Sequence, residues 1–308
     1  MIDFTGQAVV VTGAGRGLGR LYALDLARRG ASVIVNDVGG TVSGDGVDAR
    51  VADEVVEEIR AAGGTALASH HSVADPEGGE AIVDAALGGF GRVDAVISNA
   101  GIFATAPFED LTHADWRRML EVHLDGAFNL SQPAYRAMKS QGYGRFVFIA
   151  SSAGFFGQPD SAHYAAAKAG ILGLANVIAV EGAAHGILAN CVLPFGYSRM
   201  VWELVGPRDE VEAEPGFLHA IEPELVVPVV TYLASRDCAL THHNVSACAG
   251  RFARVFVGLA EGWAAERGSA PTVDDIAVHL DEVVATEPHI VPTSIIDEVF
   301  QVAARLGL

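Results

Sequence analysis

A doubly wound α/β sheet is the fold class that the sequence predicts, and three observations predict it. Short apolar, β-branched runs recur at 8–11, 32–36, 66–68, 94–98, 146–150, 188–193 and, more weakly, 244–247, with helix-like segments between most of them. Strand alternating with helix implies parallel pairing, because a parallel crossover needs about a dozen residues or more. Runs that are apolar throughout imply a sheet covered on both faces, here a sheet of about seven strands with helices on each side. The third observation is the placing of the 35 glycines, which fall at the ends of these runs rather than in a low-complexity block, as many strand-to-helix turns require. In such a sheet ligands bind beyond the carboxyl ends of the strands, so chemistry is expected just after each run.

The first run leads into "VVVTGAGRGLGRLYALDLARRGASVIVND". Gly13, Gly17 and Gly19 follow a strand and open a helix, which lets backbone amides at the helix N-terminus approach a pyrophosphate with no side chain in the way. Arg16 and Leu18 border the same turn. The second run ends at Asp37, eighteen residues past the last of these glycines, where a carboxylate can accept hydrogen bonds from a ribose diol and repel a 2′-phosphate. NAD is therefore the expected cofactor. Arg16 pulls towards NADP, since a guanidinium can pair with that phosphate, but Val38 offers no second cation. After the third run come Ser72 and Val73, with Val73 the better candidate to pack on the adenine. The fourth run leads into "SNAG" and the fifth into Ser151 and Ser152. In "SAHYAAAKAG", Tyr164 and Lys168 stand four apart, and on a helix they face the same point. The sixth run leads into "NCVLPFG".

The spacing T-G-x-x-x-G-x-G, the "SNAG", Ser151 thirteen residues before Tyr164, the Tyr164/Lys168 pair and "NCVLPFG" occur in order over nearly all of the first 250 residues. Together they resemble the short-chain dehydrogenase/reductase family, on a Rossmann sheet. More locally, "VNDVGG", "EVHLDGAF", "SSAGFFGQPDSAHYAAAKAGILGLA" and "SRM" are similar to the (3R)-hydroxyacyl-CoA dehydrogenase branch found in peroxisomal multifunctional enzymes of type 2. That resemblance implies an NAD-dependent interconversion of a secondary alcohol and a ketone, a 3-hydroxyacyl-CoA or a sterol-derived analogue. A biosynthetic 3-oxoacyl reductase using NADPH, a hydroxysteroid dehydrogenase on free steroids and a non-catalytic NAD-sensing module are the alternatives.

The resemblance implies a role for each matching residue. Tyr164 is the proton acceptor, a phenol whose usual pKa near 10 needs the Lys168 ammonium to favour its ionised form. Ser151, with Ser152 the alternative, orients the reacting oxygen. Lys168 also contacts the nicotinamide ribose. Asn99, Ala100 and Gly101 border the cofactor, as do Pro194, Gly196 and Ser198 after the sixth strand, with Arg199 beside them. Two positions depart from the family pattern. His123 stands where the usual asparagine joins a proton relay, and is read either as a member of that relay or as a packing histidine. "PFGYSR" replaces P-G-x-x-x-T. Phe103, Phe155, Phe156, Tyr197, Met200 and Trp202 are the candidates to line an apolar substrate channel.

At 308 residues, half of them apolar, the chain can build a sizeable core. It is read as a domain over 1–250 that carries cofactor and catalytic residues, and a helical extension over 251–308 serving as lid or dimer contact. That extension is expected to bury Phe252, Val255, Phe256, Trp263 and Phe300 against a second subunit or over the cleft, in a homodimer or homotetramer. A formal charge of −18 argues against nucleic acid or an anionic membrane as partner. Cys191, Cys238 and Cys248 have no metal-ligand or C-x-x-C spacing, so reduced thiols are expected and no metal. No apolar stretch reaches the roughly 18 residues of a membrane span, and the start shows no leader pattern. A cytoplasmic location is expected.

Overall fold

The computed structural model describes residues 2–211 and 216–306. The chain divides into two compact units, Met1–Arg254 and Val255–Leu308.

In the first unit the central strands are β1 (Ala8–Thr12), β2 (Ser32–Asn36), β3 (Thr65–Ser69), β4 (Ala95–Ser98), β5 (Gly144–Ile149), β6 (Ile187–Phe195) and β7 (His243–Cys248). All the pairings from β3 across to β7 are parallel. An additional strand, β8 (Arg251–Val255), makes the sheet eight-stranded, in the order β3-β2-β1-β4-β5-β6-β7-β8. Sequence reading expected seven strands and a helical tail from 251. The difference lies in Ala249 and Gly250, whose φ values of 50° and 76° make a two-residue turn that sends the chain back along β7.

Helices α1 (Gly17–Arg28), α2 (Arg50–Ala61), α3 (Pro76–Phe90), α4 (His113–Leu120), α5 (Gly126–Gln141), α6 (Ala153–Phe156) and α7 (Ala162–Gly182) follow in turn. Beyond β6 come the short helices α8 (Arg199–Val205), α9 (Arg208–Val211) and α10 (Phe217–Ala220), and then α11 (Val227–Ala234). The inner strands β1, β2, β4, β5 and β6 are apolar because they are covered on both faces, whereas β7 and β8 are more polar and mostly half-buried or exposed. One core packs α1, α2 and α11 through residues such as Tyr22, Leu26, Ile59 and Leu233. The other packs α3, α5 and α7 through Ile82, Leu130, Phe146 and Ile171. After β3 the chain crosses to β4 on the far side of β1, so the crevice lies beyond the carboxyl ends of β1 and β4.

One helix, Ala162–His185, is long and apolar enough by length and composition to cross a membrane, where the sequence reading found no such stretch. Its alanines and its isoleucine, leucine and valine residues give it that mean hydropathy despite Lys168 and Glu181, and α7 packs against β6.

The second unit holds an antiparallel ribbon, β9 (Leu259–Ala260) with β10 (His289–Ile290), and helices α12 (Val273–Val278), α13 (Leu280–Val283) and α14 (Ile295–Arg305). Thr272 and Asp275 form a reciprocal cap on α12, and Ser294 caps α14. Within this unit Trp263 stacks on His279 at 4.5 Å. Phe252, Phe256 and Phe300 are exposed in the single chain, which leaves their burial against a second subunit an expectation.

Candidate active site

A cavity of about 510 Å³ opens at the carboxyl ends of the parallel strands. The glycine turn forms one wall. Gly13 and Gly17 have φ of 62° and 53°, which favours glycine at both positions. A Cβ on Gly19 would collide with the carbonyl oxygen of Gly13, whereas one on Gly17 would meet nothing within 4 Å. The Gly13–Gly19 contact therefore closes the turn, and Gly17 leaves open space in front of α1. Thr12 ties this turn to β4, its hydroxyl accepting from the amides of Asn99 at 3.0 Å and Ala100 at 3.1 Å. The Asn99 amide donates in return to the carbonyls of Thr12 and Gly13 at 2.9 and 3.1 Å. Asn99 thus holds the cradle together.

Asp37 stands at the end of β2. Its Oδ2 accepts from the Gly15 amide at 2.9 Å and its Oδ1 from Gly39 at 2.7 Å. Gly15, which sequence reasoning passed over, is required here, because a Cβ would run into Val51 and Asp37. Arg16, Leu18, Ser72, Val73, Ala100 and Gly101 line the same cavity, as do Pro194, Gly196, Ser198 and Arg199 from the far side. An open turn at a helix N-terminus, an oriented carboxylate at the next strand end and an apolar shelf at Val73 fit a dinucleotide.

Ser151, Tyr164 and Lys168 meet at the mouths of β5 and α7. Burial raises the Tyr164 phenol above its ordinary pKa, and the neighbouring Ser151 hydroxyl offsets part of that rise. Lys168 donates to the Ile149 carbonyl at 2.6 Å, and its Nζ lies 5.6 Å from the centre of the Tyr164 ring. Burial drives the Lys168 pKa down to about 7. Lys168 and Tyr164 thus share a dry pocket in which the ammonium is itself costly to charge. Cys191 is buried close to Lys168, and burial pushes its thiol up to about 12.

His123 occupies a π turn, Glu121–Asp125, between α4 and α5. Its Nε2 lies 2.8 Å from the Ile102 carbonyl oxygen and 3.1 Å from the Ile102 amide nitrogen. The ring is buried, and its pKa is held well below the usual histidine value, first by that burial and then by Lys168.

The substrate residues divide. Phe103 and Met200 line the cavity. Phe155 instead packs on the core beside α7, and Phe156 is exposed. Trp202 points half into solvent. Tyr197 has a structural duty, its hydroxyl donating to the Gly206 carbonyl and accepting from the Arg208 amide, both at 2.8 Å. In their place Gln158, Val122, Leu204, Val205, Leu218 and Ile221 form the wall. The helical spacing of Val201, Leu204 and Val205 was the available signal for part of this set. Thr41 and Val42 also line the cavity, from the long link after β2.

A Rossmann sheet with a dinucleotide cradle and a Ser/Tyr/Lys set at its carboxyl edge defines a nicotinamide-dependent oxidoreductase acting on a small molecule. Residues 7–204 match the family model described as short chain dehydrogenase, and the chain belongs to the short-chain dehydrogenase/reductase family. It is 46% identical over 237 residues to the peroxisomal multifunctional enzyme type 2 of Mus musculus, covering 77% of this chain and 31% of that one. A putative short-chain type dehydrogenase/reductase of Mycobacterium tuberculosis is 40% identical over 277 residues, which is 90% of this chain and 93% of the relative. The structure of full-length peroxisomal multifunctional enzyme type 2 from Drosophila melanogaster superimposes with a TM-score of 0.80 at 29% identity, over 99% of this chain and 50% of that one. A 7α-hydroxysteroid dehydrogenase complexed with NADH and 7-oxo glycochenodeoxycholic acid gives a TM-score of 0.72 at 26% identity, over 80% of this chain and 95% of that one. The chain spans half or less of the multifunctional relatives named here.

Proposed function

We propose that the protein oxidises a (3R)-3-hydroxyacyl-CoA, or a sterol-derived analogue, to its 3-oxo form with NAD. The observation that carries the reading is the convergence of Ser151, Tyr164 and Lys168 on a cavity whose opposite end is closed by Asp37. The likeness to multifunctional enzymes of type 2 supports the substrate class.

Bound in the cradle, the nicotinamide supplies the hydride acceptor. Ser151 holds the substrate oxygen by a hydrogen bond and so presents its proton to Tyr164. Tyr164 takes that proton as the carbinol carbon becomes a carbonyl. Lys168, charged once an anionic or polar partner replaces part of its lost hydration, favours the phenolate and anchors the ribose. Asp37, already oriented by two backbone amides, keeps acceptor capacity for a ribose diol and repels a phosphate in its place. The apolar wall from α8 and α10 suits an acyl chain or a steroid.

A second reading, an NADPH-dependent 3-oxoacyl reductase, has Arg16 on the cavity wall in its favour. A homodimer or homotetramer belongs to the first reading, since Phe128, Val177 and Val180 on α5 and α7 are half-exposed, and light scattering tests it. For the reaction, NAD reduction should be followed across 3-hydroxyacyl-CoAs of increasing chain length, both C3 epimers, beside free hydroxysteroids, with NADP in parallel. Preference for an (R)-acyl thioester with NAD is expected. Turnover confined to free steroids, or equal kcat/KM with NADP, would overturn the substrate or the cofactor part respectively.

A further inference from the structure

His123 is a residue of the active centre whose chemistry the proposed reaction leaves unused, and its surroundings are specific. Its backbone sits in a five-residue π turn, Glu121–Asp125, a feature that inserts a residue into a helix and is frequent at functional sites. The ring lies edge-on to Tyr164, with centroids 5.3 Å apart and planes at 89°. Phe103 meets the same phenol ring in the same way, at 5.2 Å and 86°. Tyr164 is thus held by two perpendicular rings.

Three further contacts fix the imidazole. Nε2 engages the backbone of Ile102, the residue next to Phe103, so one anchor steadies both rings. Gly101 leaves the room that the imidazole fills: a Cβ there would collide with its Cε1 and stand 3.0 Å from Nδ1. Nδ1 is buried and has no hydrogen-bond partner among the described residues. A proton carrier needs a donor at one nitrogen and an acceptor at the other, both able to exchange. Here one nitrogen faces a peptide group and the other faces a glycine.

We propose that His123 is a positioning residue for Tyr164: a neutral ring, pinned to Ile102, that with Phe103 fixes the plane of the phenol and hence the place of its hydroxyl beside Ser151. The charged and titratable groups that bear on it are Lys168, His163 and Tyr164 itself, and Lys168 and His163 both favour the neutral imidazole. Misplacing a reacting group by about an ångström costs up to roughly a hundredfold in rate, and loss of one of two braces is expected to cost part of that.

The test uses the full chain with His123→Ala, His123→Phe and His123→Gln, and rests on the oxidoreductase reading above. His123→Ala should lower kcat about tenfold with KM within twofold. Phe, which restores an aromatic edge, or Gln, which restores a donor to Ile102, should recover at least a third of the wild-type rate, and no variant should lose a limb of the pH profile. If Phe and Gln are both as slow as Ala and a limb disappears, His123 carries a proton and the proposal falls; it falls equally if Ala stays within twofold of wild type. Should wild type oxidise none of the alcohols, that earlier reading fails instead. The brace is then read from the tyrosinate absorbance of each variant against the same variant carrying Tyr164→Phe. His123→Ala should admit water and move the Tyr164 midpoint down towards the ordinary tyrosine value, and an unmoved midpoint would overturn the brace.

Discussion

The two walls of the cavity are built on different principles. On the cofactor side, position is set by backbone: glycines where a Cβ would strike a carbonyl, an asparagine amide bonded to two peptide oxygens, a carboxylate bonded to two peptide amides. On the substrate side, position is set by apolar side chains on the short helices α8 and α10, none of whose residues is deeply buried. The first wall tolerates almost no change of residue type. The second can be repacked with its chemistry intact, which is how one fold serves many substrates.

The catalytic residues stand where the walls meet, and the largest loss is expected there. Tyr164→Phe should reduce kcat by roughly 10²–10⁴-fold or more while NADH affinity, set by the other wall, changes less than threefold. Stopped-flow turnover and NADH fluorescence titration measure the two separately. Retention of more than about a tenth of the rate would make the tyrosine a packing residue. Next in size, Gly19→Ala drives a methyl into the Gly13 carbonyl and should weaken NADH binding at least 100-fold, roughly 3 kcal/mol. Its effect on any substrate series should be uniform, so a chain-length-dependent effect would break the division between the walls.

That division also explains what was legible in the sequence. Gly13, Gly17, Gly19 and Asp37 were readable because steric necessity leaves a residue-type signature at a fixed spacing, and Ser151, Tyr164 and Lys168 because strand end and helix pitch bring them together. Phe155, Phe156 and Trp202 were misplaced because aromatic character says nothing of which way a side chain on a short helix points. Gln158 and Thr41 were missed because they reach the cavity from loops without periodicity. Strand β8 was missed for a related reason: a run such as "RFARV" fits a helix or a strand, and a turn at Ala249 and Gly250 decides it.

Lys168 sharpens the comparison from the side of stability. Its folded pKa of about 7 lies below the value of about 10.4 in an unfolded chain. Between those values the unfolded state binds more protons, so this group's contribution to stability rises with pH across the window. The penalty is fullest at and below about pH 7 and vanishes above the ordinary lysine range. Lys168→Met should therefore raise Tm at pH 7 by roughly 5 °C, less the lost bond to Ile149, and raise it less at pH 10, while abolishing turnover. A Tm that falls at pH 7, or a gain that grows with pH, would show that the buried ammonium is not strained.

The smallest effects are expected on the substrate wall, and there the contrast lies within one helix. In α8, Val201, Leu204 and Val205 line the cavity, as residues three and four apart on a helix share a face. Trp202 is not part of that lining, although it and Leu204 are equally exposed, at 50%. Leu204→Ala removes apolar surface that a long acyl chain would cover, worth about 0.8 kcal/mol per buried methylene. It should raise KM for long-chain substrates about threefold to tenfold and leave short-chain substrates nearly unchanged. Trp202→Ala, although it deletes far more surface, should alter kcat/KM by less than twofold for either. Parallel kinetics on one short and one long 3-hydroxyacyl-CoA decide the matter. If Trp202→Ala is the more damaging change, the helix turns its other face to the substrate when the acyl chain is bound, and the second wall is then a moving part rather than a fixed lining.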